Sequence, residues 1–139
     1  MNDGDAAALF ATARVARLAT VGATGQPHVV PVVFAVDRSR ILTAVDHKPK
    51  RTTALRRLSN IRANSAVSLL VDHYDDEDWS ALWWVRADGR ATVVEADSDA
   101  ARHGVELLTR RYPQHREDPP DGPVVVVDVE RWSAWSALA

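Results

Sequence analysis

Residues 15–45 read VARLATVGATGQPHVVPVVFAVDRSRILTAV, and this stretch decides the fold. Val15 to Val21 alternates small or apolar residues with Arg17, the period-two pattern of a strand with one buried face. Ala23 to Pro27 has the composition of a turn. His28 to Asp37 is β-branched and aromatic. Pro31 within it predicts an edge position or a bulge, because proline has no N–H to donate to a ladder. Asp37 to Arg40 forms a tight hairpin turn into Ile41–Val45. Parallel βαβ alternation is absent, and with it a doubly wound dinucleotide-binding sheet.

Outward from this stretch the pattern stays mainly β. Upstream, DGDAAALFATAR (3–14) reads as a short amphipathic helix with Asp3 and Asp5 at its N-terminus. Downstream, Ala66–Val71 is a buried strand. Leu82–Val85 and Arg90–Glu95 flank Ala87-Asp88-Gly89, which reads as a bulge or a turn within a long strand. Ser98 to Tyr112 has helical spacing, with Ala101, Val105 and Leu108 in one stripe and Pro113 ending it. REDPPDGP (116–123) is a loop, and Val124–Val129 is the last strand. About six strands with three short helices leave too few helices to cover an open sheet, so the sheet curls into a barrel. The expectation is one domain over residues 1–139, of mainly β (α+β) class.

Composition narrows the function. The 139 residues are 46% hydrophobic and 26% charged, with a formal charge of −2. A binder of bulk polyanions is usually basic overall, so nucleic acid is not expected as a partner. With no cysteine, thiolate metal sites and cysteine nucleophiles are excluded. No apolar run approaches a membrane span and no signal-peptide core is visible, which predicts a cytoplasmic protein with no membrane partner. Glycine-rich phosphate loops and a GxSxG elbow are also missing.

One segment runs against the acidic trend. From residue 47 to 71 there is no acid, yet Lys48, Lys50, Arg51, Arg56, Arg57 and Arg62 fall there. The segment HKPKRTTALRRLSNIRAN turns at Pro49 and enters a helix through Thr52 and Thr53. Leu55, Leu58 and Ile61 supply its docking stripe. Cations at the mouth of a helix N-terminus suit a phosphate or carboxylate. A solvated helix with ordinary arginines is the plainer reading, but surface helices normally interleave both signs.

The remaining candidates are weaker. Trp83 and Trp84 are adjacent on a strand and point to opposite faces, one to the core and one to a partner or ligand. The five histidines show no metal-site spacing and read as surface or loop residues. The acidic run DHYDDED (72–78) lacks the glycine and glutamate placement of a calcium loop.

LATVGATGQPHVVPV (18–32), LRRLSNIRANSAVSLLV (55–71) and VRADGRATVVE (85–95) together resemble the split β-barrel flavin- and deazaflavin-binding family related to pyridoxamine 5′-phosphate oxidase. KPKRTTALRRLSNI, DHYDDEDWSALWWVRADGRA and PPDGPVVVVDVERWSAW look most like its actinobacterial type, which uses the deazaflavin coenzyme F420 rather than FMN. Two departures stand out. Asn64-Ser65 replaces an asparagine–proline pair, and Arg57 replaces a lysine, keeping the charge but changing its geometry.

The resemblance implies a homodimeric oxidoreductase with its cofactor pocket at the subunit interface, carrying hydride to or from a small unsaturated substrate. Lys50, Arg51 and Arg57 would hold the cofactor phosphate, with Thr52 as a hydroxyl donor. The ring would lie near Val32, Val33, Phe34, Thr43 and Ala44, and Trp79 would close the pocket from the other subunit. FMN in the same fold, or a flavin-binding protein without turnover, are the alternatives. Surplus cations such as Lys48 and Arg62 favour the deazaflavin, whose tail carries extra negative charge. No catalytic residue and no metal ligand is assigned.

Overall fold

The computed structural model describes residues 1–45 and 51–138, with the backbone alone over 51–55. In chain order the elements are α1 (Asp3–Thr12), β1 (Ala16–Val21), β2 (Pro27–Val32), β3 (Ala35–Asp37), β4 (Arg40–Ala44), α2 (Arg51–Ala63), β5 (Ala66–His73), a 3-10 turn (Trp79–Ala81), β6 (Trp83–Val94), α3 (Asp99–Arg111), α4 (Pro113–Glu117) and β7 (Val124–Ser136). The strands form one antiparallel sheet in the order β2-β1-β5-β6-β7-β4-β3.

That order forces the sheet to curl. β2 and β3 lie at its two opposite edges, yet only Val33 and Phe34 separate them along the chain. Such a connection reaches roughly 11 Å at full extension. Seven flat strands would hold their edges about 29 Å apart. The sheet therefore wraps on itself as a half-barrel around a common core, to which Leu18, Val32, Phe34, Ile41, Leu69, Val85 and Val127 all contribute.

The structure differs from the sequence expectation in two places and, in a third, decides between a bulge and a turn in favour of the bulge. Among the described residues seven strands replace six, because residues 28–37 break into β2 and β3 instead of forming one strand. Four α-helices replace three: Pro113 ends α3 and also occupies the first turn of α4, where a missing N–H costs nothing. Ala87-Asp88-Gly89 is no turn, since β6 runs unbroken through it. The register instead shifts against β7, with Asp88 opposite Arg131 and Gly89 opposite Val129, so Glu130 is the extra residue of a bulge. A Cβ on Gly89 would run into the Asp128 carbonyl oxygen, so only glycine fits there. Pro31 does lie on an edge strand, as its chemistry requires.

Helices pack on both the core and the outer side of the sheet: Phe10 of α1 joins the main core, while Ala101 of α3 packs with Leu42, Val124 and Val126 on the opposite face of β4 and β7. Asn2 caps α1 by accepting from the Asp5 backbone N–H at 2.8 Å. Phe10 from α1 plugs the core, its ring 4.9 Å from Phe34 and 5.4 Å from Trp132. α3 starts on a Ser98 cap and covers β3 and β4. Trp83 packs against the core, while Trp84 lies on the other face with the Arg86 guanidinium 5.9 Å from its ring centre.

Tyr112 joins α3 to the β2–β3 connection. Its hydroxyl accepts from the Phe34 N–H at 3.2 Å and lies 3.0 Å from the carbonyl oxygens of both Phe34 and Arg14. Tyr112→Phe leaves the buried Phe34 N–H without its partner and should cost about 1–3 kcal/mol in urea unfolding. A loss below ~0.5 kcal/mol would show that the hydroxyl does not secure this junction.

Candidate functional site

α2 places the acid-free basic segment against the barrel. Leu58 and Ile61 are buried on the core side, and the helix packs on β1 and β6. Leu55, the third residue of the expected stripe, has a side chain outside the described residues. On the next turn Asn60 donates from Nδ2 to the buried Thr20 hydroxyl at 3.0 Å. A Cβ on Gly22 would collide with Asn60 Oδ1, so the close approach of hairpin and helix depends on glycine.

Between the β1–β2 turn and α2 lies a cleft of about 550 Å³, lined by Gly22, Ala23, Thr24, Gln26, His28, Arg56, Ser59 and Asn60. Among the described residues no carboxylate lines it. Among the described residues two buried nitrogens lack a hydrogen-bond partner: Nδ1 of His28, in the lining, and Nε of Arg57, next to Arg56 on α2. Native proteins rarely leave such groups unpaired. Burial also pushes the Arg57 guanidinium below the usual arginine pKa, the signature of a charge separated from water. Among the described residues no carboxylate forms an ion pair with Arg57. Arg57 itself is not in the lining, but a buried guanidinium edge on the helix that walls an acid-free cleft suits a phosphate or carboxylate.

The expected site residues separate into groups. Arg57 belongs to this region. Arg51 and Thr52 lie in the first turn of α2, where only the backbone is described, and Lys50, like Lys48, lies outside the described residues. Arg62 points elsewhere and pairs with Glu95 at 3.5 Å. Trp79 is 67% exposed on the 3-10 turn and does not line the cleft.

The ring-side candidates lie at different depths in the fold. The side chains of Val32, Phe34 and Thr43 are buried in the protein, so they offer no surface to a ring. The Thr43 hydroxyl donates to the Val33 carbonyl at 2.8 Å. Val33 and Ala44 are half-buried and pack against Ala35, Leu108 and Tyr112. They are the two members of that set with side-chain surface left.

His28 is the residue that sequence reasoning missed, having been read as a surface or loop histidine. It shares a face of β2 with Val30 and with Val32, which is buried, and it pairs in register with Thr20. That period-two position was the available signal for an inward-facing imidazole.

The comparisons agree with this architecture. A sequence profile described as pyridoxamine 5′-phosphate oxidase matches residues 3–136. The 5a,11a-dehydrotetracycline/5a,11a-dehydrooxytetracycline reductase of Streptomyces rimosus subsp. rimosus is 30% identical over 99 residues, covering 70% of this chain and 68% of the relative. A conserved hypothetical protein of Mycobacterium tuberculosis superposes with a TM-score of 0.74 at 24% identity, over 99% of this chain and 86% of that one. A FAD-binding protein of Mesorhizobium loti gives 0.71 at 20% identity, over 96% and 94% of the two chains. At these identities the two structures establish the fold alone. The profile spans nearly the whole chain and its fold is the one observed, so this chain belongs to the pyridoxamine 5′-phosphate oxidase family.

Proposed function

We propose that this protein is a homodimeric oxidoreductase that uses coenzyme F420 to carry hydride to or from a small unsaturated substrate. The observation that carries the reading is the Arg57 guanidinium, buried at Nε without a partner among the described residues, on the same helix whose Arg56 lines an acid-free cleft. Arg57 would hold the cofactor phosphate, with Arg56, His28 and Ser59 available for further negative charge. Bound there, the deazaflavin would supply the hydride chemistry. The protein's part is to seat the anion and to keep water from the ring. Similarity to a tetracycline-type reductase supports an unsaturated acceptor. FMN is the second reading, favoured by the flavin-binding relative among the solved structures.

A second subunit has a surface to meet. On the face of the sheet turned away from the core, Val29, Leu70 and Trp135 remain exposed. Register puts all three on this face: Leu70 pairs with Arg17 and Arg86, Val29 with Ala19, and Trp135 with Trp84. Large apolar side chains left exposed on one open sheet face suit an interface, and Trp79 would reach across it.

Fluorescence titration of the purified protein with F420 and with FMN, together with sedimentation velocity, tests the reading. Micromolar F420 binding to a dimer is expected. Micromolar FMN binding with no response to F420 would replace the first reading by the second, and a monomer at working concentration would remove the shared pocket.

A further inference from the structure

A second cavity has the opposite chemistry to the cleft. It encloses about 560 Å³ between the β2–β3 connection and α4, within the ~300–1,000 Å³ range of small-molecule sites. Val33, Tyr112 and Pro113 give it an apolar wall, and Gln114, His115 and Glu117 line the α4 side. Among the described residues no lysine or arginine lines it.

Its walls are held before any ligand arrives. The Tyr112 hydroxyl is tied to both backbone groups of Phe34, and the Arg14 guanidinium lies 4.6 Å from the Tyr112 ring centre. The His115 ring meets the Tyr112 ring edge to face at 5.9 Å. α4 is tied to α3 by the Arg116 guanidinium, which donates from Nη1 to the carbonyls of Thr109 at 3.4 Å and Arg110 at 3.3 Å. Among the described residues no hydrogen bond to the His115 ring nitrogens occurs, which leaves an imidazole free to bond a carbonyl or hydroxyl.

We propose that this cavity binds a flat, apolar molecule that is neutral or cationic, as the second reactant of the oxidoreductase; its role as reactant rests on the function proposed above. Three features carry the ligand class. Aromatic edges and a valine favour an aromatic body. His115 supplies one polar anchor. Glu117, with no cation among the described lining residues to offset it, disfavours an anion. Val33 lines this cavity, not the cleft, and is also one of the two ring-side candidates with side-chain surface left.

The test uses two environment-sensitive dyes, neutral Nile red and anionic 8-anilinonaphthalene-1-sulfonate. Fluorescence titrations of the full chain are run with and without saturating F420 or FMN. Nile red is expected to bind about tenfold or more tighter than the anionic dye. Gln114 is exposed, so Gln114→Trp should fold and fill the cavity, weakening Nile red about tenfold while leaving cofactor affinity unchanged. Glu117→Lys should bring the anionic dye close to Nile red. Equal affinity for both dyes in the unaltered protein would overturn the proposal. So would Nile red binding that neither Gln114→Trp nor Val33→Trp weakens. Dye binding that follows these expectations while neither cofactor binds would keep the cavity and reject the oxidoreductase.

Discussion

Phe34→Ala should lower unfolding stability by about 3–5 kcal/mol, among the largest losses available to this chain. Phe34 is fully buried. Its ring contacts Phe10, and the Arg111 guanidinium lies 5.0 Å from its centre. Its position compounds the effect. Phe34 stands in the two-residue connection that brings the opposite edges of the sheet together, so a cavity there sits at the closure of the half-barrel. Collapse around the void is hindered because Tyr112 holds the Phe34 backbone on both its polar groups. Val15→Ala, exposed ahead of β1, serves as the control and should stay within about 0.5 kcal/mol. Urea denaturation monitored by tryptophan fluorescence decides it: a loss below ~1 kcal/mol for Phe34→Ala would mean that the connection does not close the barrel.

Arg57→Ala should weaken cofactor binding by about 1–3 kcal/mol, or roughly 5- to 150-fold. The loss is a charge-assisted hydrogen bond made in a partly desolvated place, where it is stronger than at the surface. Arg57→Lys should recover only part of it, because an ammonium cannot reproduce the planar fork of the guanidinium. Arg62→Ala is the matched control. It removes the same charge from the same helix, but from a side chain that is exposed and paired with Glu95. Its effect should stay within about twofold. The variants should also differ in the cofactor-free protein. Arg57→Ala removes an unsatisfied buried donor and so should not lower stability the way loss of a paired group does. Equal losses of affinity for Arg57→Ala and Arg62→Ala would reduce the site to a diffuse positive field.

Most of the fold was legible in short-range pattern. Alternation marked β1, a proline marked the edge strand β2, and a helical stripe ending at Pro113 marked α3. The break between β2 and β3 was hidden because it falls at Val33 and Phe34, both good strand formers, with no glycine or proline to punctuate it. What breaks the strand is the closure of the sheet, a non-local event that single residues do not announce. The site divides along the same line. Arg57 stood out through charge imbalance within one segment. His28 and Asn60 are far apart in the sequence, and they meet the same cleft only because the β1–β2 hairpin folds over α2. Phe34 and Thr43 were expected at the ring through the family resemblance alone, and β-branched and aromatic residues fit both a core and a ligand. Burial settles that ambiguity in favour of the core.

The central claim is that Arg57 awaits the anionic end of a cofactor. The Nε–H resonance of Arg57 in a ¹⁵N correlation spectrum, assigned by its disappearance in Arg57→Lys, reports on it directly. Saturation with F420 should move that resonance downfield as the unpaired donor gains a phosphate oxygen, and Arg62 should stay in place. Cofactor saturation that leaves the Arg57 Nε–H resonance unmoved would contradict the account.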